Sequence, residues 1–252
     1  NGLQFFYWSF AMTTQVPTSR FVDMALSFAG GDGGNLDSEV WFCGFEWGNS
    51  HGIDIEKTID TEFQPIPEPT SWAHKDFEGS WNTNYNRKIC LFLKYFYAID
   101  WEGMSYDEFV ANHQILYPDG LGFKLNLLPV RFRNRESLAW AKAIEAASGF
   151  ETFDDYRSWC VTHRGAFFRA LLSKHKPKVL VCTGVGEREN FLRAFADGGP
   201  RQTVQLADFS LTVAKFADTL ICVTPFFGSP AGINSYQKME QLVSKIKHLL
   251  AA

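Results

Sequence analysis

The sequence has no long apolar run. Nowhere do about 18 uninterrupted apolar residues occur, which excludes a membrane-spanning helix. Its five cysteines (Cys43, Cys90, Cys160, Cys182 and Cys222) show no CxxC or CxH spacing, so neither a zinc site nor an iron–sulfur cluster is expected, and no cofactor or metal is assigned. An odd cysteine count without a secretory leader argues against a disulfide framework and for a reducing, cytoplasmic location. The first eleven residues, NGLQFFYWSFA, lack the basic start and the small-residue cleavage site of a signal peptide. They are read as a cloning-derived or start-site extension ahead of Met12, leaving residues 12–252 as one domain. Also missing are the GxxxxGK[ST] phosphate loop and the GxSxG nucleophile elbow, and Gly184-Val185-Gly186 has too few glycines for a dinucleotide fingerprint.

Basic residues are scarce at the start. Up to Glu78 there are only Arg20, Lys57 and Lys75, and the net charge of −4 speaks mildly against nucleic acid as a partner. The cations gather later, in Arg131, Arg133, Arg135 and Lys142, then in Arg157, His163, Arg164, Arg169, Lys174, His175, Lys176 and Lys178. Such clusters either track a phosphate backbone or are ordinary solvated helix faces.

What is abundant is aromatic and apolar. The chain carries 24 Phe and 8 Trp, with 46% hydrophobic residues against 21% charged, and its 252 residues suffice for one large core. Four apolar runs read as buried strands: Val40 to Phe45, Phe123 to Val130, Val179 to Thr183 and Thr219 to Val223. Helical patterns lie between them. Ser105 with Glu108 forms a capping box, and Thr152 with Asp155 opens a segment carrying Phe167/Leu171 and Phe168/Leu172. Glu187 to Asp197 places Phe191, Leu192 and Phe195 on one face, and a last helix starts near Ser235. The expected architecture is α/β: a three-layer α/β/α domain around a central, mainly four-stranded parallel sheet. Between Gly48 and Ser80, Pro65, Pro67 and Pro69 describe a long irregular loop.

Polar residues cluster where the strands stop. The first strand runs into Gly44-Phe45-Glu46-Trp47-Gly48-Asn49-Ser50-His51, so two glycines flank a carboxylate at the sheet's carboxyl edge. The second holds Asn126 inside an apolar run, an amide that needs partners and can give and take hydrogen bonds with a base edge. The fourth runs into Thr224-Pro225-Phe226-Phe227-Gly228 and then Ser229-Pro230-Ala231-Gly232-Ile233-Asn234.

In this order the pieces resemble the uracil-DNA glycosylase superfamily. GFEWG looks like its first motif with Glu46 at the acidic or amide position, Asn126 matches its base-reading Asn, and SPAGIN looks like its last loop. The likeness spans about Val40 to the C-terminus and rests on order and spacing. It departs from the family at Trp47, which replaces a Pro, and at the head of the last motif. There a His is expected and Ser229, or in another alignment Thr224, stands instead. The family uses that His to stabilise the departing base anion. The resemblance implies hydrolysis of the N-glycosidic bond of uracil or another deaminated base in DNA, single-stranded or damaged, by a monomer. Glu46 would be catalytic, Asn126 would read the base, and Trp47, Phe77, Trp81 or Tyr85 would stack on it. The motif loops contribute Gly44, Gly48, His51, Thr224, Ser229, Pro230, Gly232 and Asn234, and phosphates would meet Arg131 and Arg133. A non-catalytic nucleobase-binding or nucleic-acid-binding protein of the same fold, and a hydrolase of free nucleosides, are the alternatives. Glu46 as a turn-stabilising carboxylate and Asn126 as a partner for a strand-end backbone group remain open beside these roles.

Overall fold

Runs of large apolar side chains make the centre of the sheet, and shorter, more polar segments extend it on both sides. A computed structural model of the chain describes residues 16–48, 55–73, 83–132 and 142–252. In chain order the strands are β1 (Gly33–Gly34), β2 (Val40–Gly44), β3 (Trp47–Gly48), β4 (Phe123–Asn126), β5 (Arg131–Phe132), β6 (Val179–Thr183), β7 (Arg201–Gln205), β8 (Ser210–Phe216) and β9 (Thr219–Thr224). The main sheet has seven strands in the order β1-β4-β2-β6-β9-β8-β7, while β3 pairs separately with β5. Strands β4, β2, β6 and β9 run parallel, whereas β1, β8 and β7 are antiparallel to their neighbours.

The α/β class therefore holds, and the four apolar runs are the parallel strands. The three-layer domain around a mainly four-stranded parallel sheet is corrected to a mixed, seven-stranded sheet. The β7–β8 hairpin escapes a sequence reading because its residues dilute the apolar signal. Strand β7, Arg-Gln-Thr-Val-Gln, is exposed at every position but half-buried Val204. In β8 Ser210, Thr212 and Lys215 interrupt the buried Leu211, Val213 and Ala214.

The helices are α1 (Ser19–Ala25), α2 (Ile55–Glu62), α3 (Asn84–Tyr97), α4 (Tyr106–Asn112), α5 (Lys142–Ser148), α6 (Phe153–Trp159), α7 (Gly165–His175), α8 (Arg188–Phe195) and α9 (Tyr236–Ala251). The expected caps form: Ser105 and Glu108 close a reciprocal capping box on α4, Thr152 caps α6 and Ser235 caps α9. Helix α2 interrupts the segment expected to be irregular between Gly48 and Ser80. Side chains alternate across the parallel strands. Trp41, Cys43, Leu180, Cys182, Ile221 and Val223 join one apolar cluster with Phe21, Phe168 and Phe191 from α1, α7 and α8. Phe42, Val181 and Cys222 join a second with Phe92 from α3 and Leu242 from α9. Among the described residues no helix is long and apolar enough to cross a membrane.

One helical run is broken in a way the sequence does not announce. Between α6 and α7 the backbone makes a π-helical turn, Cys160–Arg164. The wider turn shifts the phase of the residues that follow, and Arg164 points into the protein, 1% exposed. Its guanidinium donates to the carbonyls of Asn126 (3.3 Å), Ser27 (3.1 Å), Ala25 and Ala29, and it lies 4.6 Å over the Phe168 ring. Burial lowers its pKa to about 10, so it remains a cation at neutral pH. Among the described residues no carboxylate pairs with it, and carbonyl dipoles carry the charge instead.

Two predictions follow the packing. Arg164→Met leaves four carbonyls without their donor, at about 1–3 kcal/mol for each one that neither water nor relaxation satisfies. Urea unfolding is expected to show a loss of about 3 kcal/mol or more, and Arg164→Lys, which lacks the planar fork, is expected to restore little of it. A loss under about 1 kcal/mol for Arg164→Met would refute the clamp. Burial also pushes the Cys90 and Cys160 thiols up from 9.0 to about 12. The folded state thus keeps protons that the unfolded chain releases. Stability is complete below about pH 9 and declines as pH rises towards 12. Unfolding midpoints measured from pH 7 to 11 test this, and a flat profile counts against it.

Candidate functional site at the carboxyl edge of the parallel strands

The strand order fixes where the direction of the chain's crossovers reverses. From β2 the chain crosses to β4 on one side, then returns past β2 to β6 and on to β9. The connections that leave the carboxyl ends of β2 and β6 run in opposite directions, so the topological switch point, where open α/β sheets bind ligands, lies between these two strands. Glu46, Asn126, Gly184 and Thr224 all belong to strand ends or loops on this edge.

A row of residues crosses the four parallel strands here. Gly44 pairs with Asn126, Cys43 pairs with Cys182 so that Gly44 stands beside Thr183, and Thr183 pairs with Thr224. By alternation all four belong to the face that carries Phe42, Val181 and Cys222 towards α3 and α9. Gly44 is required by its neighbour: a Cβ there would stand 2.1 Å from Asn126 Oδ1. The Asn126 carboxamide thus lies over Gly44, and its Nδ2 donates to Gly30 O at 2.7 Å. Gly30 has φ of 78°, and a Cβ on it would stand 2.6 Å from the Pro129 backbone. One amide hydrogen of the 2% exposed Asn126 is therefore structural.

Glu46 is half-buried, just past the end of β2. Pairing to the second strand continues beyond Asn126, with Leu127 N donating to Gly44 O (2.9 Å) and Leu128 N to Phe45 O (2.8 Å). The ladder then resumes as β3–β5, with Trp47 beside Arg131 and Gly48 beside Phe132. Glu46 sits at the hinge between the two ladders. The backbones of Trp47 and Arg131 are thereby adjacent to it in the fold. His51, Phe77, Trp81 and Arg133 lie outside the described residues.

Beneath Asn126 is a buried ion pair. Lys124 Nζ lies 2.6 Å from Asp32 Oδ2, and their side chains are 8% and 9% exposed. Lys124 also donates to Asn86 Oδ1 (3.0 Å) and lies 5.0 Å over the Tyr85 ring, while Trp72 Nε1 donates to Asp32 (3.1 Å). The pair ties the Gly30–Gly34 loop to β4, and that loop supplies the carbonyl that orients Asn126. Tyr85 OH lies 2.9 Å from Thr183 Oγ1, and burial pushes its phenol far above the ordinary 10.0, so it stays neutral. Its ring stacks at 5.2 Å on Phe226, which is 44% exposed. Thr224 is fully buried, and its Oγ1 has no partner among the described residues.

The last-motif loop folds on itself. Gly232 N donates to Ser229 O (3.0 Å), Ile233 N to Phe226 O (3.2 Å) and Asn234 Nδ2 to Pro230 O. Half-buried Ser229 and exposed Pro230 and Asn234 form its rim. The second basic cluster is elsewhere. Arg164 is buried, Arg157, Arg169, His175 and Lys178 meet Asp154, Asp197, Asp37 and Glu39, and Lys176 and Lys178 precede β6 at its amino end. Among the described residues no three His, Cys, Asp or Glu side chains converge to hold a metal ion. Asp32, Lys124, Asn86, Trp72, Thr183 and Gly30 were not singled out from sequence. Lys124 had a readable signal, since a charge within an apolar strand demands a buried partner.

No known protein family matches the chain, and no curated protein is similar to it.

The ion pair makes a testable claim. Asp32→Ala strands a buried ammonium and is expected to destabilise by about 3–5 kcal/mol, whereas Asp32→Ala/Lys124→Met is expected to lose less. Chemical unfolding of the single and double variants measures this. A double variant less stable than Asp32→Ala would show that the two groups do not depend on each other.

Proposed function

We propose that this chain is a DNA base-excision glycosylase-like hydrolase of the N-glycosidic bond of uracil or another deaminated base. The observation that supports it is that Asn126 and Glu46 belong to the carboxyl ends of the adjacent strands β4 and β2, with the amide already oriented by Gly30 and Gly44. An amide fixed before the ligand arrives is suited to reading a flat heterocycle, because little ordering remains on binding.

In the reaction, water adds to the anomeric carbon while the C–N bond breaks and its electron pair leaves with the base. Glu46 accepts the water's proton and faces the oxocarbenium-like sugar. At about 4 Å a carboxylate stabilises such a cation by roughly 1–4 kcal/mol for effective dielectrics of 80 to 20, about one to three decades of rate. The base anion takes hydrogen bonds from the second Asn126 amide hydrogen and from backbone N–H groups of the edge loops. Where the resembled family has a His, the described residues of the last motif supply neutral hydroxyls, Thr224 and Ser229, which are weaker donors to an anion than a charged group. Slow turnover is the consequence. Five free, buried cysteine thiols fit a cytoplasmic setting.

A non-catalytic nucleobase binder is the second reading, favoured by the same loss of the His and by the engagement of Asn126 with Gly30. Incubating the protein with single- and double-stranded oligonucleotides carrying one uracil, hypoxanthine or xanthine separates the two. Base release is expected, reduced about 10- to 1,000-fold by Glu46→Gln and about 100- to 1,000-fold by Asn126→Ala. No release from any substrate, with binding unchanged in Glu46→Gln, would select the binder.

A further inference from the structure

Away from the sheet edge, the outer face of α3 forms one wall of a cleft of 670 Å³. Asn84, Arg87, Lys88, Leu91 and Lys94 recur at three- and four-residue steps and so share one stripe. The facing wall comes from Trp101 and Tyr106, and Tyr236 at the start of α9 closes one side. Arg87 lies 5.2 Å from the Tyr106 ring, and Lys88 Nζ lies 5.7 Å from the ring of Tyr236, which is 69% exposed. Among the described residues neither Lys88 nor Lys94 meets a carboxylate within ion-pair distance. Asp100 and Glu102, on either side of Trp101, also line the cleft, and Asp100 Oδ1 accepts from the Glu102 amide at 2.9 Å.

We propose that this cleft binds a single-stranded nucleic-acid segment, with phosphates on Lys88 and Lys94 and a base stacked on Tyr236. The inference rests on the nucleic-acid reading of the carboxyl-edge site, and α3 links the two places. Tyr85, next to Asn84 at the head of the same helix, touches Thr183 on that edge. Half-buried ammonium groups without carboxylate partners beside an exposed aromatic ring are the combination that holds a flexible strand without reading its sequence. Burial already depresses the pKa of Lys88, and an incoming phosphate would reverse that penalty. The two lining acids flank Trp101, and their repulsion of phosphate confines the backbone to the lysine side.

Fluorescence anisotropy with a labelled single-stranded oligonucleotide of mixed sequence, containing no removable base, tests the cleft independently of base release. Lys88→Glu/Lys94→Glu is expected to weaken binding about tenfold or more at low salt. Lys88→Gln/Lys94→Gln should lower the slope of log affinity against log salt by about 1.4, for two lost phosphate contacts. Tyr236→Ala should weaken binding about 5- to 100-fold. Lys174→Glu/Lys215→Glu, equal in charge but distant, should change little, and thermal melting verifies that each variant is folded. Equal weakening by the distant pair, wild-type binding by the Lys88/Lys94 variants, or equal affinity for poly-glutamate overturns the inference. Absence of base release with cleft-dependent binding intact counts only against the glycosylase reading.

Discussion

A buried guanidinium anchors the edge of the sheet on which the functional reading depends. The Arg164 guanidinium holds the carbonyls of Ala25, Ser27 and Ala29 on one side and of Asn126 on the other. A planar group with five donors is suited to this, since it satisfies several carbonyls at once in a fixed geometry. Moving a charge out of water is expensive, and four backbone carbonyls that accept from the guanidinium offset that cost. The segment after α1 is therefore not free to vary in position relative to the end of β4.

That constraint reaches the site through short steps. Arg164 fixes Ala29, the next residue supplies the carbonyl for Asn126, and Asp32 two residues later pairs with Lys124 in the same strand as Asn126. Two charged contacts of different kinds thus clamp one glycine-rich loop against β4. Asn126 inherits its orientation from both, and Gly44 leaves the room that its carboxamide fills. The amide is positioned by backbone and by buried charge, without help from any side chain it would share with a ligand.

Much of the sheet's centre was legible because fully buried parallel strands are written as unbroken apolar runs. Val179–Thr183 and the start of each of the other three could be read directly, and the hydroxyl caps of α4, α6 and α9 declared those helix starts. The hairpin β7–β8 was hidden by Thr, Gln and Lys, residues that a strand tolerates wherever its other face or its edge meets water. The fourteen-residue α3 carries a readable helical period, with buried Ile89, Phe92, Leu93 and Phe96 at three- and four-residue steps, yet no capping box or motif in the sequence drew attention to it. At the site, Glu46, Asn126 and Thr224 were visible as polar residues where apolar runs end. Arg164 looked like one more member of a basic cluster, since nothing in local spacing reveals a π-helical turn. Asp32 and Lys124 are 92 residues apart in the chain, and only the folded sheet brings them together.

The same hairpin has a consequence for the molecule in a crowded solution. By pairing with β9 it turns the last parallel strand into an interior one and moves the open rim of the sheet out to β7. Arg201, Gln202, Thr203 and Gln205 clothe that rim with water-seeking side chains. Unpaired amides on an edge strand are a template for a neighbouring copy, and the shortness of β7 and the charge of Arg201 blunt it. The chain thereby separates the part of its sheet that must stay dry and regular from the part that must refuse polymerisation.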